Sequence, residues 1–235
     1  MEWLQICYNN FYRAFIEKDR YLAYIEGFKN TLELSFFAVL LGAAIGLVVA
    51  VIKSSCENKK GGLFKFLNFI CNVYITIIRG TPVYVQILII YYIIFSSRNS
   101  SPMLAGVVCF GINSSAYVAE IIRAGIAAVD KGQMEAGNSL GLSNAQTMIY
   151  ISLPQAIKNI LPALGNEFIV LIKETSIVGA IAVTDVTKAA QGIGTFTYDL
   201  LTPLLIAAAM YLTVVLVLTK LMSMLERRLA RSDRH

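Results

Sequence analysis

The sequence predicts an all-α membrane protein with five transmembrane helices, its N-terminus outside and its C-terminus in the cytoplasm. Composition is the first observation behind this. Of 235 residues, 57% are hydrophobic and only 15% charged, whereas a soluble domain carries roughly 25% charged residues to cover its surface. At a mean hydropathy of +0.64, the apolar surface exceeds what one or two soluble domains could bury, which excludes a soluble enzyme. The second observation is that the apolar residues fall into runs long enough to cross a hydrocarbon core of roughly 30 Å at about 1.5 Å per helical residue. The third is that basic residues gather between alternate runs, as they do on the cytoplasmic side of membrane proteins.

Residues 1–25 lack the basic start and small-residue cleavage site of a signal peptide. Leu4, Tyr8, Phe11, Tyr12 and Phe15 recur at helical spacing. This fits a short helix on the membrane surface or an extramembrane extension. The membrane domain then spans 26–228, and 229–235 form a basic cytoplasmic tail.

Leu34 to Ile52 is an uncharged run of 19 residues and the first crossing. Its small residues Ala38, Gly42, Gly46 and Ala50 stand four apart, a stripe that lets a second helix approach closely. Phe66 to Ser97 is broken by Arg79-Gly80-Thr81-Pro82, with 13 uncharged residues before the break and 15 after it, which predicts two half-spans on a polar hinge. The third crossing is Asn99 to Ala119, with Pro102 in its first turn. Ala145 to Ile172 holds only Lys158 and Glu167 as charges and is the fourth. Leu200 to Thr219 is the fifth.

Lys53, Lys59, Lys60 and Lys65 follow the first crossing, and Lys220, Arg227, Arg228, Arg231 and Arg234 follow the last; both groups belong in the cytoplasm. The loop at Arg98 and the segment from Lys173 to Asp199 carry few bases and fall outside. Arg13, Lys18, Arg20 and Lys29 then lie outside too, accompanied by Glu2, Glu17, Asp19 and Glu26.

Several chemistries have no candidate residues. The only histidine is His235, and Cys7, Cys56, Cys71 and Cys109 form no CxxC pair, so neither a metal site nor a catalytic centre is expected. The bases do not gather in an aromatic-rich patch, so nucleic acid is not an expected partner. No GxxxxGK[ST] occurs, so the chain has no phosphate-binding loop and energy has to come from elsewhere.

Between the third and fourth crossings, residues 130–141 read as a short cytoplasmic helix. Asp130 can cap it with Gln133 at the third helical position, a variant of the capping box, and Gly141 suits a left-handed end. Flanked by two spans, such a helix is a mechanical element that transmits a push to both.

Glu135-Ala136-Gly137, Gly141 six residues after the Glu, and Ile151-Ser152-Leu153-Pro154 resemble the EAA signature of membrane subunits of ATP-binding cassette importers. The departure is Gly137 where a second Ala is usual, expected to loosen the helix by up to about 1 kcal/mol. Arg79-Gly80-Thr81-Pro82, the stretch from Ile112 to Gly125, Pro154-Gln155-Ala156, Asn166-Glu167-Phe168 and Lys173-Glu174-Thr175-Ser176 narrow the likeness to polar amino-acid permeases of bacteria, over residues from about 28 to 228. The resemblance implies a type I importer fold in the bacterial inner membrane. It implies a second permease subunit, identical or not, a dimer of cytoplasmic ATPases that bind ATP and Mg, and an extracellular or periplasmic solute-binding protein. The chain itself would hold no cofactor and catalyse nothing. Glu135 and Ala136 would dock in the ATPase, with Gly141 as the turn. A secondary transporter or channel is the rival reading; it would need no EAA segment and commonly shows an inverted repeat, which is not found here.

Spacing suggests where substrate passes. Arg79 lies roughly 21 Å from Lys65 and Glu167 roughly 20 Å from Pro154 along helical rise, while Asn113 lies roughly 15 Å below Met103. The three share the middle to outer half of the bilayer. An amino acid carries a carboxylate, which suits Arg79 beside a broken helix, and an ammonium, which suits Glu167; Asn113 serves either. Tyr117 and Glu120 follow Asn113 on one helical face. Arg79 and Glu167 could instead pair with each other, and Glu120 with Arg123 one turn on. Glu167 inclines the reading to arginine, lysine or histidine, with glutamine, glutamate or cystine as alternatives.

Overall fold

The structure, a computed structural model, describes residues 2–57, 61–97 and 100–231. Lys59, Lys60, Arg98, Asn99, Arg234 and His235 therefore lie outside the described residues. Every described element is helical: α1 (Glu2–Phe11), α2 (Tyr21–Glu57), α3 (Gly62–Gly80), α4 (Val83–Ile94), α5 (Pro102–Ala127), α6 (Lys131–Ser139), α7 (Asn144–Thr147), α8 (Leu153–Glu174), α9 (Val186–Thr197) and α10 (Leu201–Arg231). A π-turn over Tyr12–Ile16 follows α1, another over Met148–Ser152 leads into α8, and a 3-10 segment, Thr175–Ile181, joins α8 to α9.

Among the described residues, four helices are long and apolar enough to cross a membrane: α2, α3, α5 and α10. Helix α8 is of spanning length at 22 residues, but it carries Lys158, Glu167, Lys173 and Glu174. Helices α2 and α10 run well past the apolar runs that predicted them. A charge ends the favourable burial in lipid but does not end a helix, whose backbone bonds continue as long as neighbours or water suit its side chains. The break at residues 79–82 is confined to Thr81 and Pro82, both in extended backbone. Pro82 cannot donate an amide and pushes Thr81 out of the helical region. The first part is longer than a half-span, since α3 begins at Gly62 and takes in Lys65, whose long stem can reach the interface.

The chain divides into two units. The first comprises Met1–Ala38, Pro82–Phe110 and Ile169–Leu218. Its core joins Tyr24 of α2, Val186, Ala190 and Ile193 of α9 and Ala207 of α10. Asp185, fully buried, caps α9 by accepting from the amides of Thr187 at 3.0 Å and Lys188 at 2.9 Å, and accepts from the Tyr211 hydroxyl at 2.9 Å. Asn30 donates to the Thr184 carbonyl at 2.8 Å. At Gly27 a Cβ would stand 2.6 Å from the Asp185 carbonyl oxygen, so α2 passes in backbone contact with this cap. Asp199 caps α10 through the amides of Leu201 and Thr202. The Thr202 hydroxyl holds the Asp199 carboxyl below its ordinary value of 3.8.

The second unit comprises Val39–Thr81, Gly111–Phe168 and Thr219–His235. Ala50, Ile75, Ala116, Val118, Ala119, Ile122, Ala156 and Ile160 form its core. The small-residue stripe of α2 packs as expected: a Cβ on Gly42 would lie 2.9 Å from Ser114 Cβ, and one on Gly46 would lie 2.8 Å from the Ser115 carbonyl oxygen. Lipid gives helices no hydrophobic reward for associating, so contact this close supplies the attraction. Gly125 admits Ile160 of α8, and Gly165 admits Met222 of α10, in the same way.

Candidate functional site

The candidate pathway and docking residues all lie in the second unit, on α3, α5, α8 and the segment at α6. Helix α5 is the spine. The Tyr74 hydroxyl of α3 donates to the Ile112 carbonyl at 3.0 Å and meets the Ser115 hydroxyl at 2.5 Å. One polar step along, Asn113 is buried, and buried Ser114 donates to Glu167 Oε1 at 2.8 Å. At Tyr117, one turn further, the Arg79 guanidinium lies over the ring at 5.2 Å from its centroid, a cation-π contact that fixes the cation while leaving its N–H groups to other acceptors. Arg79 makes no ion pair among the described residues. The acid of α8 and the base of α3 thus each engage α5, and do not pair with each other. Within α5, Asn113, Ser114 and Tyr117 fall within about one helical turn.

Sequence reasoning missed Tyr74, Ser114 and Ser115. Hydroxyls barely depress hydropathy, so the run Asn113-Ser114-Ser115 passes for ordinary span; three adjacent hydrogen-bonding side chains at mid-span were the available signal. Glu120 pairs with Arg123 as expected, with bonds of 3.1 and 2.9 Å, and also with Lys53 of α2 at 3.0 Å. With two bases on it, this acid ties α2 to α5.

Helix α6 starts at Asp130, whose carboxylate accepts the Gly132 amide at 2.7 Å. The expected capping box at Gln133 does not form: the Gln133 side chain accepts from Gln155 at 3.3 Å, and the complete box lies instead at Ser143 and Gln146. The helix closes with the Leu142 amide on the Gly137 carbonyl at 3.1 Å, and Gly141 takes a left-handed φ of +88°. Glu135 and Ala136 are exposed, and Leu140 stands out with 82% of its surface free. Ser152 donates to the Met134 sulfur at 3.2 Å, and Thr147 donates to Asn138 at 3.3 Å, so α6 is bound to the turn that opens α8.

Gly137 has a packing role besides its low helix propensity. It is buried, and a Cβ there would fall 2.5 Å from Thr147 Cγ2 and 2.8 Å from its hydroxyl. Close approach to Thr147 explains the glycine. Gly137→Ala is accordingly expected to destabilise the segment by about 1–3 kcal/mol through overpacking, not to stabilise it. Thermal unfolding of the purified protein, with Gly137→Ala/Thr147→Ser as partial rescue, measures this.

These spanning helices, with the exposed EAA-like helix bound to the foot of α8, match the membrane-embedded subunits of ATP-binding cassette importers. The chain belongs to the family of binding-protein-dependent transport system inner membrane components, whose family model matches residues 42–231, and it is a multi-pass protein of the bacterial inner membrane. It is 43% identical over 209 residues to a putative glutamine transport system permease of Rickettsia typhi, covering 87% of this chain and 92% of that one. It is 40% identical over 211 residues to the arginine transport system permease ArtQ of Bacillus subtilis, covering 89% and 93%. Among solved structures, an amino acid ABC transporter crystallised with histidines matches with a TM-score of 0.80 at 47% identity, over 88% of this chain and 94% of that one. The MetNI methionine ABC transporter shares the fold, with a TM-score of 0.77 at 17% identity over 91% and 99%.

Proposed function

We propose that this chain forms the pathway for a polar amino acid, with Arg79 holding the substrate carboxylate, Glu167 facing its ammonium or cationic side chain, and Asn113 and Tyr117 lining the way. The observation that carries this is the pairing of one cation, held on the Tyr117 ring, and one anion, held on Ser114, on the same stretch of α5. Glu167 favours arginine, lysine or histidine. The relatives support glutamine equally, since they are named for glutamine as well as arginine transport.

On this reading the five crossings are α2, α3 with α4, α5, α8 and α10, and with the basic C-terminal tail in the cytoplasm the N-terminus lies outside. Helix α6 then lies in the cytoplasm, where Glu135 and the Gly141 turn dock with an ATPase that binds ATP and Mg; a solute-binding protein delivers substrate on the other side to a pair of permease subunits. The test is uptake into proteoliposomes containing the subunits encoded beside this chain. Labelled arginine is expected to enter only with internal ATP and external binding protein, and glutamine to enter under the same conditions if the second reading holds. Uptake without ATP would return the chain to the secondary transporters. Orientation is checked with Asn9→Cys and Ser139→Cys, each in a Cys7→Ser background: an impermeant maleimide is expected to label the first in intact cells and the second only after permeabilisation.

A further inference from the structure

The N-terminal helix carries apolar surface that the pathway does not use. In α1 and the π-turn after it, Trp3, Leu4, Ile6, Tyr8, Phe11 and Tyr12 are all exposed, Trp3 by 72% and Tyr8 by 62%. No residue of α1 is buried. A helix of ten residues without tertiary packing is marginal in water even when its sequence favours helix, so an apolar medium has to hold it. Trp3, Leu4, Cys7, Tyr8 and Phe11 lie along one face at helical spacing, while Glu2, Gln5 and Asn9 lie on the other. Tryptophan and tyrosine with a polar opposite face are the residues that settle at a membrane–water boundary, where one end of the ring is dry and the other wet.

Two further observations point to lipid as the occupant. Exposed apolar residues recur past the turn, at Ile16 and then at Leu22 and Ile25 in the first turns of α2, and α2 is a spanning helix. Beneath the π-turn, Phe11, Phe15 and Phe28 face Ile206, Met210 and Val214 of α10 across an open, apolar groove of about 410 Å³. The turn itself is pinned: Arg13 donates to the Thr197 carbonyl at 3.3 Å, Arg20 to the Arg13 carbonyl, and the Phe15 ring packs tilted against Tyr24. This holds the helix at a set height beside α2.

We infer that α1 is an interfacial anchor, lying in the headgroup region of the leaflet that its end of α2 reaches, with a phospholipid acyl chain in the groove between the Phe11–Phe15 turn and α10. The inference needs neither the substrate nor the orientation proposed above. Trp3 is the only tryptophan of the chain, which makes it a direct reporter. The full-length permease with its ATPase is placed in nanodiscs of phosphatidylcholine brominated near the headgroup end or near the methyl end of the acyl chains. The spectrum of Trp3→Phe is subtracted to remove the partner's emission. Helices of this kind sit roughly 5–10 Å into the headgroup–acyl boundary, so Trp3 is expected to be quenched about twofold more by the shallow bromines than by the deep ones. Ala209→Trp in the Trp3→Phe background reports on the groove and is expected to respond to the deep bromines. Trp3 emission that ignores both lipids and yields freely to aqueous acrylamide would overturn the anchor. Emission that ignores both lipids and acrylamide would also overturn it, by showing that protein covers the face.

Discussion

Gly141→Val is expected to abolish ATP-driven uptake while the membrane bundle stays folded. Gly141 closes α6 at φ +88°, where an L-residue costs about 1–2 kcal/mol and a β-branched one more. No heavy atom lies within 4 Å of where its Cβ would stand, so the cost is in the backbone alone and is relieved by unwinding the end of α6. That unwinding breaks the Leu142–Gly137 bond and swings exposed Leu140 and Glu135 away from the proposed docking partner. Gly141→Asn is the control, because asparagine visits the left-handed region with little penalty, and it is expected to keep most of the activity. Glu135→Ala, which removes charge without touching the fold, is expected to reduce uptake and ATPase co-purification together. Native uptake in both Gly141→Val and Glu135→Ala would remove α6 from the coupling path.

The second large effect is expected at Glu167. If the carboxylate faces a cationic side chain, Glu167→Gln keeps shape and the Ser114 contact but loses a charged hydrogen bond worth about 1.5–3 kcal/mol. That corresponds to a fall of about 10- to 100-fold in arginine affinity or uptake. Glutamine uptake, where the same liposomes support it, is expected to change little. An equal loss for both substrates would instead assign Glu167 to holding α8 on α5. Ser114→Ala separates the two further, since it leaves the charge and removes only the hydroxyl that orients it.

These two sites differ in how far the sequence revealed them. The α6 segment was legible almost whole in its local structure: a capping aspartate, an exposed acid and a left-handed glycine are read from neighbours a few positions away. The exceptions are also physical. Gln133 turned to Gln155, and Gly137 proved to be a contact glycine against Thr147; both depend on how α6 lies against the turn before α8. For Arg79, Asn113 and Glu167, counting residues gives an expected common height, but height says nothing of direction around a helix axis. The contacts of Arg79 with Tyr117 and of Glu167 with Ser114 needed the packing of three helices.

The spans show the same division. Lipid excludes unpaired backbone and unneutralised charge so strongly that an apolar run is enough to locate a helix, and α2, α3, α5 and α10 fall on the runs that predicted them. Where the helices end was not written there, because Tyr21–Glu33 and the last turns of α10 are helical without being apolar. The sequence by itself therefore determined the class of protein, its helices and the residues with unusual chemistry, since each follows from composition or local spacing. Tertiary structure alone decided which polar groups meet, why Gly27, Gly46 and Gly137 have no side chain, and which residues pin the turn after α1, because those are contacts between separate elements.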